Sequence, residues 1–216
     1  MFTDQLTFQT LCAAFVAVKR NRGCGGIDGI SLKHYERNLE ANLGELLRTL
    51  REGTYRPLPV RRVEIPKPNG KTRPLGIPAV RDRVLQQAVL IAVRPQLEPR
   101  FSASSFGFRP GKSAHQAISQ VQHYLNEGYT YIVDADIRDF FGTLDQQLLM
   151  AKVRDAIPDR SATYLIWQFL RAGVMQEGAV RTATAGTPQG GVISPILANL
   201  YLNDFDHVME RAGLKL

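Results

Sequence analysis

The sequence predicts an α+β protein in which helices dominate and strands are confined to two regions. Apolar residues recur at helical spacing through most of the chain, an Asn-Gly turn joins two β-prone runs at residues 60–77, and a third β-prone run at residues 131–136 ends in carboxylates. The 216 residues are 44% hydrophobic and 22% charged. This length and composition allow a buried core and exclude disordered and fibrous proteins.

The first half of the chain contains four predicted helices. Helical spacing predicts one at residues 8–18, which should stop before a glycine cluster, and one from the capping residue Ser31 to residue 50, with Gly53 beyond its end. Residues 80–97 form the third, in which Pro95 is a point of interruption, and residues 113–125 form the fourth. Two of these helices precede the predicted hairpin in the sequence, and two follow it.

The second half continues the helical pattern after the run at 131–136. Asp145 caps one predicted helix, a short one contains Trp167, and a last one begins at Ser194-Pro195, since serine caps helices and proline is favoured in the first turn. The strand at 131–136 lies between these helices and the earlier ones. The sequence therefore predicts a second, short strand region that is separate from the hairpin.

The hairpin at residues 60–77 carries most of the chain's charge. Residues 56–83 contain eight basic residues and two acidic ones, a net +6 within a chain of +7 and pI about 9.6. Such a ribbon can neutralise a triphosphate or bind nucleic acid, and the alternative is a solvated hairpin that only maintains solubility. The candidate contacts are Arg61, Arg62, Lys67, Lys71, Arg73, Arg81 and Arg83.

Two aspartates end the predicted strand at 131–136. Asp134 and Asp136 are two residues apart and would point to the same face, so one can bind a metal ion while the other caps a turn. A role in the turn alone is the alternative. Phe140 and Phe141 follow; such residues are usually in the core, but an aromatic beside a sugar pocket can reject a ribose hydroxyl by steric clash.

Two glycine-containing loops complete the candidate site residues. Residues 186–191 offer backbone that a ligand can approach closely, with Gln189 as a polar side chain, or they form an ordinary loop before a helix. Residues 107–113 have three residues between their glycines where a P-loop has four, so they predict no ATPase. Arg109 and Lys112 remain candidate phosphate contacts at a helix start.

Cysteine usage and hydropathy point to a cytoplasmic protein without a membrane partner. The two cysteines, Cys12 and Cys24, form neither zinc-ligand spacing nor a disulfide framework. The longest apolar run, residues 11–18, is far short of the roughly 20 residues that span a membrane.

Four motifs in order resemble those of bacterial reverse transcriptases of the group II intron maturase type. They are residues 65–78 (IPKPNGKTRPLGIP), 105–113 (SFGFRPGKS), 134–141 (DADIRDFF) and 187–199 (TPQGGVISPILAN). Residues 26–29 (GIDG) are also similar to the start of that family. The resemblance implies a right-hand polymerase that copies RNA into DNA with two Mg²⁺ ions. Its fingers, with the β-hairpin, would be residues 1–125, and a partial palm with a short antiparallel sheet would be residues 126–216.

The resemblance also implies roles for individual residues. Asp136 matches the family's first catalytic, metal-binding aspartate, and the main-chain carbonyl of Ile137 matches an accessory metal ligand. Asp139 and Gly142 depart from the family's motif. They leave this metal position intact, but the local loop geometry can differ from that of the family. The residues that match the nucleotide pocket are Lys67 and Arg73 for the triphosphate, Phe141 for exclusion of ribonucleotides, and Gln189 and Gly190 in the loop that lines it.

The family's second aspartate motif and its thumb would follow Leu216. A polypeptide of these 216 residues is therefore expected to be inactive alone and to hold magnesium weakly or not at all. In the intact enzyme the partners would be an RNA template, a DNA primer and a deoxynucleoside triphosphate, with intron RNA as a further partner. The alternatives are a non-catalytic RNA-binding module of a maturase, or a reverse transcriptase associated with CRISPR, a retron or phage defence.

Overall fold

The computed structural model describes residues 2–66, 68, 70, 72–176, 178–181, 185–188 and 190–216, the side chain of residue 3 excepted. The helices are α1 (Phe2–Gln5), α2 (Phe8–Arg20), α3 (Leu32–Arg37), α4 (Leu39–Arg51), α5 (Val80–Leu97), α6 (Ala114–Asn126), α7 (Phe140–Thr143), α8 (Gln146–Ala156), α9 (Arg160–Arg171) and α10 (Ser194–Arg211). The strands are β1 (Val60–Pro66), β2 (Thr72–Ile77), β3 (Val174–Gln176) and β4 (Ala179–Arg181). This helix-rich arrangement confirms the predicted α+β class.

Helix α5 lies at the centre of the core. It buries residues on every face and packs against α2, α3, α4 and α9, which is typical of a helix enclosed by other elements rather than lying on a surface. Pro95 does not interrupt it: the helix continues two residues past the proline to Leu97 and is followed by a 3₁₀ turn. One cluster of buried apolar side chains includes residues from both sides of position 125.

Side-chain caps fix most helix starts where the sequence predicts them. The hydroxyls of Ser31 and Ser113 accept hydrogen bonds from the third backbone N–H beyond them, and Asp145 accepts two at the start of α8. The helix predicted from Ser31 to residue 50 is instead two helices, because Asn38 leaves helical geometry at φ −121° and ψ 40°. Ser194 is not a cap, since its hydroxyl donates to the carbonyl oxygen of Pro188 at 2.9 Å.

The four strands form one mixed sheet in the order β2-β1-β3-β4. β1 and β2 are antiparallel from the pair Arg61 and Ile77 to the pair Pro66 and Thr72, which confirms the predicted hairpin. β3 and β4 were not predicted, and β3 runs parallel to β1. The sheet thus joins the basic hairpin directly to residues 174–181.

The predicted strand at 131–136 is wrong for the described chain. Residues 129–137 have no regular secondary structure, and Tyr131 and Val133 are 97% and 89% exposed. A strand needs a hydrogen-bonded neighbour, and no strand among the described residues pairs with this segment. The preceding helix α6 is also peripheral, because none of residues 114–126 is buried.

No helix among the described residues has the length and apolar composition that crossing a membrane requires.

A buried carboxylate ties the start of α5 to the chain before the hairpin. Asp82 is 1% exposed; its oxygens accept hydrogen bonds from the Tyr55 hydroxyl at 2.8 Å and the Leu58 N–H at 2.9 Å, and Arg81 lies 3.3 Å away. Burial raises the pKa of Asp82 despite these partners, and burial followed by the nearby Asp82 charge raises the pKa of Tyr55. Sequence analysis counted Asp82 only as a charge.

The end of α10 is attached to the 3₁₀ turn at residues 98–100 and its flank. The Ser102 hydroxyl donates to Glu210 at 2.5 Å, while the His207 ring lies 3.0 Å from both the Glu210 carboxylate and the Arg100 carbonyl oxygen. The Arg100 carbonyl, and then Glu210, raise the pKa of His207, because both favour the protonated ring. This contact holds the last turns of α10 to the rest of the molecule.

Replacing Asp82 tests the buried contact. Asp82→Ala leaves the Leu58 N–H and the Tyr55 hydroxyl without their acceptor, so we expect the free energy of unfolding in urea to fall by about 2–3 kcal/mol. Asp82→Asn keeps one acceptor oxygen and should cost less. The control is Asp155→Ala, which removes an exposed ion pair with Arg100 and should cost less than about 1 kcal/mol. Equal losses in the two alanine variants would contradict the assignment.

The His207 contact predicts a pH dependence. A raised native pKa stabilises the fold fully below the unfolded value of about 6.5, and this stabilisation is lost as pH rises through the native pKa. The contribution should be below about 1 kcal/mol because the His207 side chain is 38% exposed, and solvent screens its interactions. Urea midpoints measured on both sides of this window should fall with pH in the native chain and less in His207→Gln. An identical fall in both proteins would assign the effect to other groups.

Candidate functional site

A pocket of about 200 Å³ lies where the basic hairpin meets the loop before α10. It brings together three elements that are far apart in the chain: the hairpin, the segment that follows the aspartates, and the glycine loop. Its lining consists of Val60, Arg62, Pro74, Leu75, Gly76, Asp139, Phe141, Gly142, Val174, Ala185, Gly186, Thr187 and Pro188.

The two consecutive aromatics face different surroundings. Phe140 packs edge-on against Tyr201 of α10, with ring centroids 5.9 Å apart, and contacts the core. Phe141 lines the pocket. One of the pair therefore has the core position that is usual for phenylalanine, while the other is free to contact a ligand.

The glycine loop is hydrogen-bonded to the segment that carries Phe141. The Gly186 N–H donates to the Leu144 carbonyl oxygen at 2.7 Å, and the Thr187 N–H donates to the Phe141 carbonyl oxygen at 2.8 Å. Gly186 has φ +74°, and a Cβ there would lie 2.5 Å from the Phe141 oxygen. Only glycine permits both this backbone angle and this approach.

Gly190 brings the other end of the loop against the hairpin. Its φ is +108°, and a Cβ would lie 2.6 Å from the Gly76 carbonyl oxygen on β2. The neighbouring Gln189, predicted to line the nucleotide pocket, lies outside the described residues.

Two buried glutamines hold this loop, and sequence analysis missed both. The side-chain oxygen of Gln86 accepts hydrogen bonds from the N–H groups of Val192 and Ile193 at 2.8 and 3.4 Å. Gln146 donates to the Gly186 carbonyl oxygen at 2.8 Å. A polar residue among the apolar residues 84, 85, 88 and 89 of the predicted helix was the available signal for Gln86.

The acidic segment lies beside the pocket. Asp134 and Asp136 are exposed on the irregular segment before α7, Ile137 is 53% exposed, and Asp136 is not among the pocket's lining residues. The carboxylate that does line the pocket is Asp139, which has a left-handed backbone at φ 48°. This side chain fills the space that any side chain at Gly142 would need, so the two departures from the family's motif fit each other.

These donors do not form a two-magnesium site by themselves. Within the described ranges, no group of three or more histidine, cysteine, aspartate or glutamate side chains is placed to hold a metal ion. Two bridged cations require carboxylates from more than one element. Asp136 and the Ile137 carbonyl therefore remain candidates for part of such a site.

The structure gives Arg81 and Arg83 internal contacts. Arg81 donates to the Arg56 carbonyl oxygen at 2.7 Å, and Arg83 is 8% exposed and donates to the Cys24 carbonyl oxygen at 2.6 Å. Burial lowers the pKa of Arg83. These two guanidiniums hold neighbouring backbone, and the nucleic-acid contacts expected of them stay a prediction.

Arg109 and Lys112 also bind their own loop. Arg109 forms an ion pair with Glu98 at 2.9 Å, donates to the carbonyl oxygens of Ser102 and Ser105, and lies over the Phe101 ring. Lys112 donates to the Ala103 carbonyl oxygen at 2.8 Å. Their hydrogen bonds support the loop that precedes α6, and they leave little of Arg109 exposed to a phosphate.

The hairpin cations differ in their surroundings. Arg62 lines the pocket and contacts Glu64 and Gln176, while an Arg61 N–H approaches the Cys24 sulfur at 3.2 Å. Arg73 lies on β2 opposite Ile65 and is exposed. Lys67 and Lys71, the other predicted cations, lie outside the described residues.

Residues 65–215 match the family model for reverse transcriptase (RNA-dependent DNA polymerase). The chain belongs to the reverse transcriptase family. This confirms the predicted family, and the match contains the hairpin's second strand, Phe141 and the glycine loop.

Two curated relatives are similar over most of the chain. Protein YkfC of Escherichia coli (strain K12) is 44% identical over 193 residues, which cover 88% of this chain and 51% of that protein. Group II intron-encoded protein LtrA of Lactococcus lactis subsp. cremoris is 37% identical over 177 residues, 82% of this chain and 29% of LtrA. The reverse transcriptase chain thus spans about half the length of the first relative and less than a third of the second.

A solved structure supports the fold. A chain of the partial Cas6-RT-Cas1–Cas2 complex superposes with a TM-score of 0.62 at 26% identity, covering 98% of this chain and 35% of that one. The predicted fingers and palm architecture is consistent with this similarity to a reverse transcriptase complex.

The loop geometry predicts a specific cost at Gly190. Gly190→Ala would place a methyl group against the Gly76 carbonyl at a positive φ, so we expect it to lower the free energy of unfolding by more than about 1 kcal/mol. Gly178→Ala is the control, since Gly178 has φ +80° but open space around its Cβ position. Urea denaturation of both variants measures the difference. Equal losses would show that the loop does not touch the hairpin.

Proposed function

We propose that this chain supplies the fingers, residues 1–125, and part of the palm, residues 126–216, of an RNA-directed DNA polymerase. The observation that carries the proposal is the pocket between the hairpin and the glycine loop. Most of its lining, including Phe141, lies within the family match, and Arg62 of the same hairpin completes it. The similarity to LtrA favours the group II intron lineage for this polymerase.

The pocket suits part of a deoxynucleoside triphosphate. At about 200 Å³ it is smaller than the roughly 300–1,000 Å³ of typical small-molecule pockets, so it encloses only a portion of a nucleotide. Arg62, together with Arg73 and Lys67 of the same hairpin, would neutralise phosphate charge. Phe141 would exclude a ribose 2′-hydroxyl by contact, and Gly190 with Gln189 would form the opposite wall.

The chain's own residues act by binding and orientation. The hydrogen bonds of Gln86 and Gln146 fix the loop before a nucleotide arrives, so that less conformational entropy is lost on binding. An RNA template and a DNA primer would then place the primer terminus near Asp136. Reverse transcriptases generally use Mg²⁺, and Asp136 would supply one carboxylate to it, with further donors required.

A second candidate function is RNA binding without chemistry. It is favoured by the concentration of net +6 charge in residues 56–83, which is the electrostatic signature of a polyanion partner. Intron RNA would be the partner in a maturase. A CRISPR-associated role is the third candidate, and it is supported by the similarity to the Cas6-RT-Cas1–Cas2 complex at lower identity.

A primer-extension assay tests the catalytic proposal. A polypeptide of these 216 residues should give no templated DNA synthesis with Mg²⁺, because its described residues include no cluster of metal donors. A longer reverse transcriptase that contains these residues should be active and should lose activity in Asp136→Asn. Templated synthesis by the short polypeptide, or full activity of the longer Asp136→Asn enzyme, would refute the proposed role of Asp136.

Salt-dependent RNA binding tests the second candidate. Replacing Arg61 and Arg62 by glutamine should weaken binding and reduce the steepness of log K against log salt by about 1–2. The reason is that the RNA keeps its counterion at each phosphate that the protein no longer contacts. Asp136→Ala should bind at least as well as the native chain, because an exposed carboxylate attracts no phosphate. If Asp136→Ala abolished binding and the arginine changes had no effect, the hairpin would not be the RNA-binding surface.

A further inference from the structure

A second pocket, of about 500 Å³, lies between α8 and α9 and shares no residue with the candidate nucleotide site. One stripe of each helix lines it. α8 contributes Gln147, Met150 and Arg154, and α9 contributes Arg160, Thr163, Tyr164 and Trp167. These positions follow helical spacing, so the two helices form the walls of a groove.

The floor and the rim of this groove differ in character. Met150 and Thr163 are buried and form the floor, while Arg154, Arg160 and Tyr164 are exposed, Tyr164 at 55%. The groove therefore presents aromatic and cationic side chains above an apolar base.

The rim has positive charge that no described acid neutralises. Neither Arg154 nor Arg160 has an ion-pair or hydrogen-bond partner for its side chain among the described residues. A third guanidinium, that of Arg171, lies over the Trp167 ring at 5.4 Å from its centroid. No carboxylate is among the residues that line the groove.

From this geometry we infer that the α8–α9 groove binds a single-stranded segment of RNA. Tyr164 and Trp167 are three residues apart on one helix face, so the exposed Tyr164 ring can stack a base while the partly buried Trp167 forms the wall beside it. Arg154 and Arg160 lie where the flanking phosphates would pass. Flat aromatic surfaces beside unpaired guanidiniums suit a strand with exposed bases better than a duplex, whose bases already stack on each other.

This inference does not depend on the polymerase proposal. The nucleotide pocket lies between the hairpin and the glycine loop, whereas this groove belongs to a helix pair on which none of the predicted site residues lies. The groove would hold the strand beside the palm whether or not the chain takes part in synthesis.

Trp167 is the only tryptophan in the chain, so its fluorescence reports on the groove directly. The probe is an oligoadenylate of about ten nucleotides, within the usual range for single-strand sites, and inorganic polyphosphate is the control ligand without bases. We expect the oligoadenylate to quench Trp167 at low ionic strength, and polyphosphate to quench it little. Equal quenching by both would overturn the stacking assignment.

Variants separate this groove from other cationic surfaces. Tyr164→Ala should weaken the affinity measured by quenching about 5- to 100-fold, and Arg154→Gln with Arg160→Gln should lower the salt slope by about 1.4. Arg37→Gln with Arg51→Gln is the matched control, because these exposed arginines lie on α3 and α4. Circular dichroism checks that each variant folds.

The hairpin variants distinguish failure of this inference from failure of the RNA-binding candidate. Quenching should persist in Arg61→Gln with Arg62→Gln, even if total binding of labelled RNA falls. The inference is wrong if labelled RNA binds without changing Trp167 fluorescence, or if the groove variants bind as tightly as the Arg37 and Arg51 control.

Discussion

The contact between Gln86 and the start of α10 determines where the pocket is. α5 is fixed by the core on all sides, and the Gln86 oxygen reaches from it to the free N–H groups of Val192 and Ile193. The first N–H groups of a helix lack partners within the helix, so a buried acceptor there both satisfies them and sets the position of the helix. The glycine loop that precedes α10 then lies against the hairpin.

The same helix controls the other wall of the pocket. α5 begins three residues after β2 ends, and Asp82 in its first turn binds the backbone just before β1. The hairpin is therefore attached to α5 at both of its ends. β1 also pairs with β3. Movement of the hairpin away from the loop would therefore break both the β1–β3 pairing and the Asp82 hydrogen bond to the Leu58 backbone. The pocket walls are positioned by one rigid element rather than by independent loops.

Local features of the fold were predictable from the sequence, and features that depend on distant partners were not. Ser31 and Asp145 cap their helices as predicted, because a cap needs only residues two or three positions away. The β-prone run at 131–136 has the expected composition but no neighbouring strand in the described chain. β propensity acts through such neighbours, so composition alone was an insufficient guide.

The candidate site was predicted as a set of elements more accurately than as a set of residues. Phe141, the glycine loop and the hairpin surround one pocket. Their order in the sequence does not show that they lie close together, whereas the resemblance to the family's motifs does. Gln146 was missed because a buried amide is recognised only once the carbonyl it binds is known.

The basic residues show why charge alone is a poor guide to a binding surface. Arg83 and Arg109 were counted as candidate contacts, yet each donates to main-chain carbonyl oxygens of its own fold. A guanidinium has five N–H donors, so it can organise irregular backbone where no regular secondary structure satisfies the carbonyls. By contrast, Arg154 and Arg160 lie in a segment whose local charge is nearly balanced, and their guanidiniums have no such partners within the described part of the chain. The cations that remain available to a polyanion are therefore distinguished by their unsatisfied donors, and these need not lie where basic residues are densest in the sequence.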